Sequence, residues 1–221
     1  KFMFNFLKKV VQMATSQNPL TGKMSGTVGN FVATTYRGQN IIRSKAFYQK
    51  DANSEKQQKQ RTVFKLMSSE YTSLASVIRL GFPNRPKNQS PYNAFMAANM
   101  PNAIDNSGEI PVIDYSKMVV SKGTLPSVNV MSVTIETEGV KIIYQPQQLN
   151  PMSSEDDEVI AMLKTTDGAV FMATKPRGNS DSENLVLPCA NVVPENVLYI
   201  YLIAVSANRQ KVSQTVYAML K

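Results

Sequence analysis

The sequence predicts an α+β protein, mostly β. An N-terminal β-hairpin with one long and one short helix precedes a C-terminal antiparallel β-sandwich of immunoglobulin or fibronectin-III type. Three observations predict it. Two strand-like stretches flank Gly38-Gln39-Asn40 and lead into one continuous helical period. Beyond Pro111 the pattern changes to short strands separated by turn residues. The charge changes at about the same place: residues 1–110 carry fifteen Lys and Arg against five Asp and Glu, and residues 111–221 carry nine against eleven. The net charge of +8 therefore belongs wholly to the first half. The division that follows is an arm over 1–23, a basic hairpin–helix domain over 24–108, and a sandwich over 109–221.

The opening Lys1-Phe2-Met3-Phe4-Asn5-Phe6-Leu7-Lys8-Lys9-Val10-Val11 is apolar with basic punctuation. Lys8-Lys9 interrupts what would be a signal-peptide core too early. Met13-Ala14-Thr15 reads as an ordinary start, so the preceding residues read as an upstream extension. Phe2, Phe4 and Phe6 alternate as in an edge strand, while Phe2, Phe6, Leu7, Val10 and Val11 also suit one helical face. A greasy arm must bury itself, and a neighbouring subunit is one place to do so.

Asn18-Pro19-Leu20-Thr21-Gly22 is a turn cluster. Thr27 to Arg37 then reads as one strand, with Val28, Asn30 and Val32 on one face and Phe31 and Ala33 on the other. Gly38 permits the reversal into Ile41–Tyr48. Ser54-Glu55-Lys56-Gln57 fits a capping box. Val63, Met67, Leu74 and Ile78 recur at helical spacing, joined by Phe64, Tyr71 and Ala75, so a helix runs from about Glu55 to Leu80. Gly81 stands at the expected C-cap and Pro83 follows. Ser90-Pro91 starts a short helix through Asn99, with Tyr92, Phe95 and Met96 packed on the first. The later strands are expected at 115–121, 128–137, 140–145, 158–165, 169–174, 184–187, 196–205 and 211–219. Glu138-Gly139 and Asp167-Gly168 supply turns. The stretch 198–205 is apolar on both faces and reads as a central strand. The Trp and the Cys pair usual in immunoglobulin domains are missing, so the pattern carries the general architecture only.

Chemistry is sparse. The chain has no His, the side chain that most often moves protons or binds transition metals. The one cysteine, Cys189, excludes an internal disulfide framework and reads as a small buried side chain. The redox compartment stays open, with a virion or the cytoplasm favoured over secretion. No apolar run approaches the roughly 18 residues of a membrane helix. Glu155-Asp156-Asp157-Glu158 lacks the alternation and Gly of a calcium loop and reads as a solvated acidic loop. Gly22, Gly26 and Gly29 lack the Lys-Ser/Thr ending of a phosphate loop and precede a strand. Lys175-Pro176-Arg177-Gly178-Asn179 reads as an exposed loop with two cations. No catalytic, cofactor-binding or metal residue is assigned, and no cofactor or small-molecule substrate is evident.

What remains is surface. Arg37, Arg43 and Lys45 lie near Tyr36, Phe47 and Tyr48, the mixture of cations and rings a nucleic-acid-binding ribbon needs. The plainer account is a solvated strand face with ordinary aromatic packing. Lys56, Lys59, Arg61 and Lys65 make the first half of the long helix basic. No helix-turn-helix partner follows it, so a solvated face is the simpler reading.

Asn18–Gly22, Ser25–Asn30, Gly38–Lys45, Gln57–Arg61 and Val212–Tyr217 together resemble an uncharacterised domain-of-unknown-function family from Bacteroidota. The resemblance runs from about Met13 to the C-terminus and is most specific over Ser25–Lys45. The family has no assigned activity, so no catalytic residue carries over. The resemblance implies a phage or mobile-element association and a virion or assembly component.

The expected function is therefore non-enzymatic: a capsid- or tail-type structural protein, docking on other subunits as a homo- or hetero-oligomer. Its contact candidates are Phe2, Phe4, Phe6, Arg37, Arg43, Lys45, Lys56 and Lys59. The second expectation is a nucleic-acid-binding module using the basic ribbon and helix. The third is a surface-exposed binding module, which rests on sandwich analogy alone.

Overall fold

A computed structural model describes residues 13–16 (backbone only), 22–46, 53–146, 152–178, 180–189 and 192–220. The chain divides into two compact units, Lys1–Asn53 and Ser54–Lys221.

The first unit is a four-stranded antiparallel sheet of β1 (Met13–Ser16), β2 (Gly26–Val28), β3 (Phe31–Tyr36) and β4 (Gln39–Ser44), in the order β1-β4-β3-β2. The expected hairpin is present at β3–β4. Its turn needs left-handed backbone twice, at Arg37 (φ 51°) and Gly38 (φ 80°), as a two-residue turn matched to strand twist requires. The expected single strand over Thr27–Arg37 is instead two strands, because Gly29 takes φ 54° and turns the chain. Val28 then pairs directly with Phe31, so the two share a face and do not oppose each other. β4 stops at Ser44, and Phe47 and Tyr48 lie outside the described residues.

The second unit begins with α1 (Glu55–Gly81) and α2 (Pro91–Asn99). Both expected N-caps form. Ser54 Oγ accepts from Gln57 N at 3.4 Å while Gln57 Oε1 accepts from Ser54 N at 3.3 Å, and Ser90 Oγ accepts from Asn93 N at 3.1 Å. Along α1 one stripe is buried: Val63, Met67, Glu70, Leu74, Val77, Ile78 and Gly81. Gly81 is the last helical residue rather than the cap. It is needed for close approach, since a Cβ there would sit 2.1 Å from the Val120 carbonyl oxygen. Tyr92 meets Tyr71 edge-on at 4.9 Å between ring centroids, which locks α2 on α1.

After the short ladder β5 (Ile104–Asp105) and β6 (Val112–Ile113) come β7 (Asn129–Glu136), β8 (Gly139–Gln145), β9 (Glu158–Thr165), β10 (Val170–Pro176), β11 (Glu183–Leu187), β12 (Val197–Val205) and β13 (Val216–Ala218). They form antiparallel sheets ordered β10-β9-β12-β13 and β11-β8-β7. The four-stranded sheet lies between two cores. Tyr199, Tyr201, Ile203 and Val205 of β12, with Ile160 and Met162 of β9, pack against the helices. Ile200 and Leu202, with Val159, Ala161 and Leu163, pack against Val140, Ile142, Leu185 and Leu187 of the three-stranded sheet. The doubly apolar β12 is thus a central strand, as expected.

Two expected strands are shorter or absent. Over 115–121 the chain makes a 3-10 turn, Tyr115–Lys117, with Asp114 Oδ1 accepting from Ser116 N at 3.1 Å. The extended stretch after it is held by side chains, Asn99 and Thr215, not by a neighbouring strand. Of 211–219 only Val216–Ala218 is a strand; Val212 and Ser213 make single bridges. The contact division after Asn53 differs from the sequence division near 108, because the buried stripe of α1 is part of the helix-side core.

Candidate functional site

In the first unit, Asn40 is the only buried residue among Gly22–Ala46. Its carboxamide explains why. Nδ2 donates to Gly22 O at 2.6 Å, and Oδ1 accepts from Met24 N at 3.2 Å and from Thr35 Oγ1 at 2.7 Å. Thr35 Oγ1 also donates to Met24 O at 3.0 Å, so a cross-strand pair staples the Gly22–Met24 approach onto the sheet. Every other residue of Gly22–Ala46 is exposed or half-covered. Val28 is 78%, Phe31 60% and Tyr36 54% exposed.

The register sorts the sheet into two faces. Val28, Phe31, Ala33 and Ile42 share one; Val32, Thr34, Tyr36, Ile41 and Arg43 share the other. Arg37 stands at the turn apex, its guanidinium 5.3 Å from the Tyr36 ring centroid. Lys45 follows β4, and its backbone N donates to Asn30 O at 2.6 Å. Of the ribbon cations, the structure brings Arg37 and Arg43 to the Tyr36 side. Phe2, Phe4 and Phe6 lie outside the described residues.

Lys56 and Lys59 belong to the second unit. One helical period before Val63 and Met67, the inner stripe of α1 carries Lys56, Lys59 and Gln60 in place of apolar residues. These three, with Val63, Met100, Pro101 and Asn106, line a groove of about 450 Å³. Lys59 Nζ donates to Gly108 O at 3.1 Å across it. Residues 55–61 are exposed all round, so the first two turns of α1 project past the core.

Two buried polar clusters escaped the sequence reading. Glu70 on α1 accepts from Lys164 Nζ on β9 at 2.7 Å, from Tyr115 OH at 3.3 Å and from Tyr199 OH at 3.2 Å. Tyr201 OH donates to Tyr115 O at 2.6 Å. Burial, reinforced by the Glu70 charge, pushes the Tyr115 hydroxyl up to about 12 and raises Tyr199 further. Burial likewise raises Tyr201. The signal was there: a carboxylate inside the apolar stripe of α1 and a lysine inside an apolar strand.

The second cluster corrects a reading. Arg177, expected on an exposed loop, is 1% exposed. It donates to the carbonyls of Pro146 at 2.6 Å, Pro126 at 2.9 Å and Ser127 at 3.5 Å, with Asp157 Oδ2 at 3.9 Å. Asp157 therefore leaves the expected solvated acidic loop and is buried beside it. Both clusters tie segments together. Cys189 is buried and desolvation raises its thiol pKa, which keeps it protonated and inert.

The model of a family of unknown function, DUF6266, matches residues 23–219, and the chain belongs to that family. No curated protein and no solved structure matches it.

Proposed function

We propose that this member of the family of unknown function is a non-enzymatic docking protein, a structural subunit of a larger assembly of the capsid or tail kind. The observation that carries the reading is the outward-facing sheet among the described residues of the first unit. With one buried residue in Gly22–Ala46, those described strands form no core among themselves, and a sheet of that kind needs cover. Exposed Val28 and Phe31 on one face, and on the other Tyr36 beside Arg37 with Arg43 further along, are suited to a partner subunit. Residues 22–46 hold four Lys and Arg and no Asp or Glu, so the docking surface is cationic and its partner acidic. The two facing sheets of the second unit support the sandwich reading of that part.

Size-exclusion chromatography with light scattering tests this. The protein is expected to self-associate or to retain a partner, and Phe31→Glu is expected to abolish that. A monomer that retains nothing sinks the reading. The alternative, nucleic-acid binding, is favoured by Lys56 and Lys59 beside a groove and by the cationic first unit. Filter binding that weakens steeply with salt, and less steeply after Lys56→Gln and Lys59→Gln, is its expected result.

A further inference from the structure

We infer that the outer face of α2 is the floor of a second docking trough, one that takes an extended acidic segment of a partner protein. Two adjoining cavities of about 490 and 370 Å³ share Ala97, Ala98, Lys122 and Gln214 and so form one channel. Its floor is built of alanine methyls, which let a main chain approach closely.

The walls are held in place before anything binds. On one side Arg85 donates to Phe82 O at 2.7 Å and to Gln89 O at 3.2 Å, fixing the α1–α2 connection. On the other, Asn99 donates to Val119 O at 2.8 Å and accepts from Val119 N at 2.7 Å. Thr215 Oγ1 accepts from Val120 N and Ser121 N, both at 2.9 Å, and Lys122 N donates to Gly81 O at 2.8 Å. A pre-formed trough loses little freedom on binding.

Charge selects the occupant. Arg85, Lys117 and Lys122 line the channel and no Asp or Glu does. Lys117 is paired with Asp114 at 2.7 Å, but exposed Lys122 has no carboxylate in ion-pair range among the described residues. Carboxamides such as Asn102 and Gln214 both donate and accept, which matches a peptide main chain. Nucleic acid is the poorer fit: Phe82 is buried and Tyr217 is half-buried, its ring 5.9 Å from that of Tyr201, so the lining offers no fully exposed ring for stacking.

The test is a titration of the isotopically labelled full chain with a short peptide of alternating Glu and Ala, read by amide shifts. Shifts at Ala97, Lys122 and Gln214 are expected. Lys122→Glu and Ala97→Arg, both at exposed positions, are each expected to weaken binding about tenfold or more with the dispersed spectrum kept. Phe31→Glu is expected to leave it unchanged, which separates this trough from the ribbon surface. Absence of binding, shifts elsewhere, or affinity indifferent to both trough variants overturns the inference. So does oligouridylate shifting the trough resonances where the peptide does not.

Discussion

At the scale of single residues, two glycines separate clash from strain. A methyl at Gly81 meets the Val120 carbonyl oxygen at 2.1 Å, so Gly81→Ala must part α1 from the segment that closes over it. The expected loss is about 2 kcal/mol or more, seen as a lower thermal midpoint. Gly168 has open space around it and φ +91°, so Gly168→Ala carries only the left-handed penalty of about 1 kcal/mol. Equal losses would refute the distinction. The tyrosines give a pH signature. Tyr115 and Tyr144 are raised to about 12 by burial, against an ordinary value near 10. Their native state holds the proton that the unfolded chain releases first. Stability is therefore full below pH 10 and falls as the pH rises from 10 through 12. Absorbance titration should show fewer phenolates at pH 11 in the native protein than in the unfolded chain. None of this was legible in the sequence: Gly81 passed for an ordinary cap, and Arg177 for a loop cation, because close approach and burial are tertiary facts. Glu70 was the readable exception, a charge where the stripe of α1 asked for an apolar side chain.

At the scale of elements, local chemistry was legible where it acts locally. The Ser54–Gln57 box starts α1 as the spacing requires. Ser54→Ala is expected to cost about 1 kcal/mol of helix stability. Because residues 55–61 touch no core, that loss should appear as faster amide exchange in the first turns, with little change in the unfolding midpoint. Protection unchanged there would count against the cap. Strands β7 to β12 were legible too, because alternation with well-placed turns is the signal a half-buried strand leaves. The stretch 115–121 was not: its composition suits a strand, but its hydrogen bonds go to Asn99 and Thr215. Thr27–Arg37 misled for the opposite reason: its composition suits one continuous strand, but the two-residue turn at Gly29 breaks the alternation and puts Val28 and Phe31 on one face. At the candidate site, Arg37 was legible as a neighbour of Tyr36, while Arg43 shares that face but lies opposite Val32. The trough along α2 was not, since four separate segments build it.

At the scale of the whole molecule, the second unit holds both cores and both helices, and the first holds almost no buried side chain in its described part. A chain trimmed to 54–221 is expected to unfold in one transition, within a few degrees of the full-length midpoint, by calorimetry. Loss of cooperative unfolding in the trimmed chain would show that the first unit is structurally required. Residues 1–53 carry eight cations against one Asp, +7 of the net +8, so most of the positive charge belongs to the part with least interior. Strand β12 has the opposite character. From Tyr199 onward its odd residues fill one interior and its even residues the other, a party wall with tenants on both sides, and the bulge between Val197 and Tyr199 reverses that order at its start. Inserting or deleting a single residue in it would exchange their furnishings, sending tyrosines toward the three-stranded sheet and Ile200 and Leu202 toward the helices. A change of length is accommodated at the start of the strand, where a bulge already sits, and not along Tyr199–Val205.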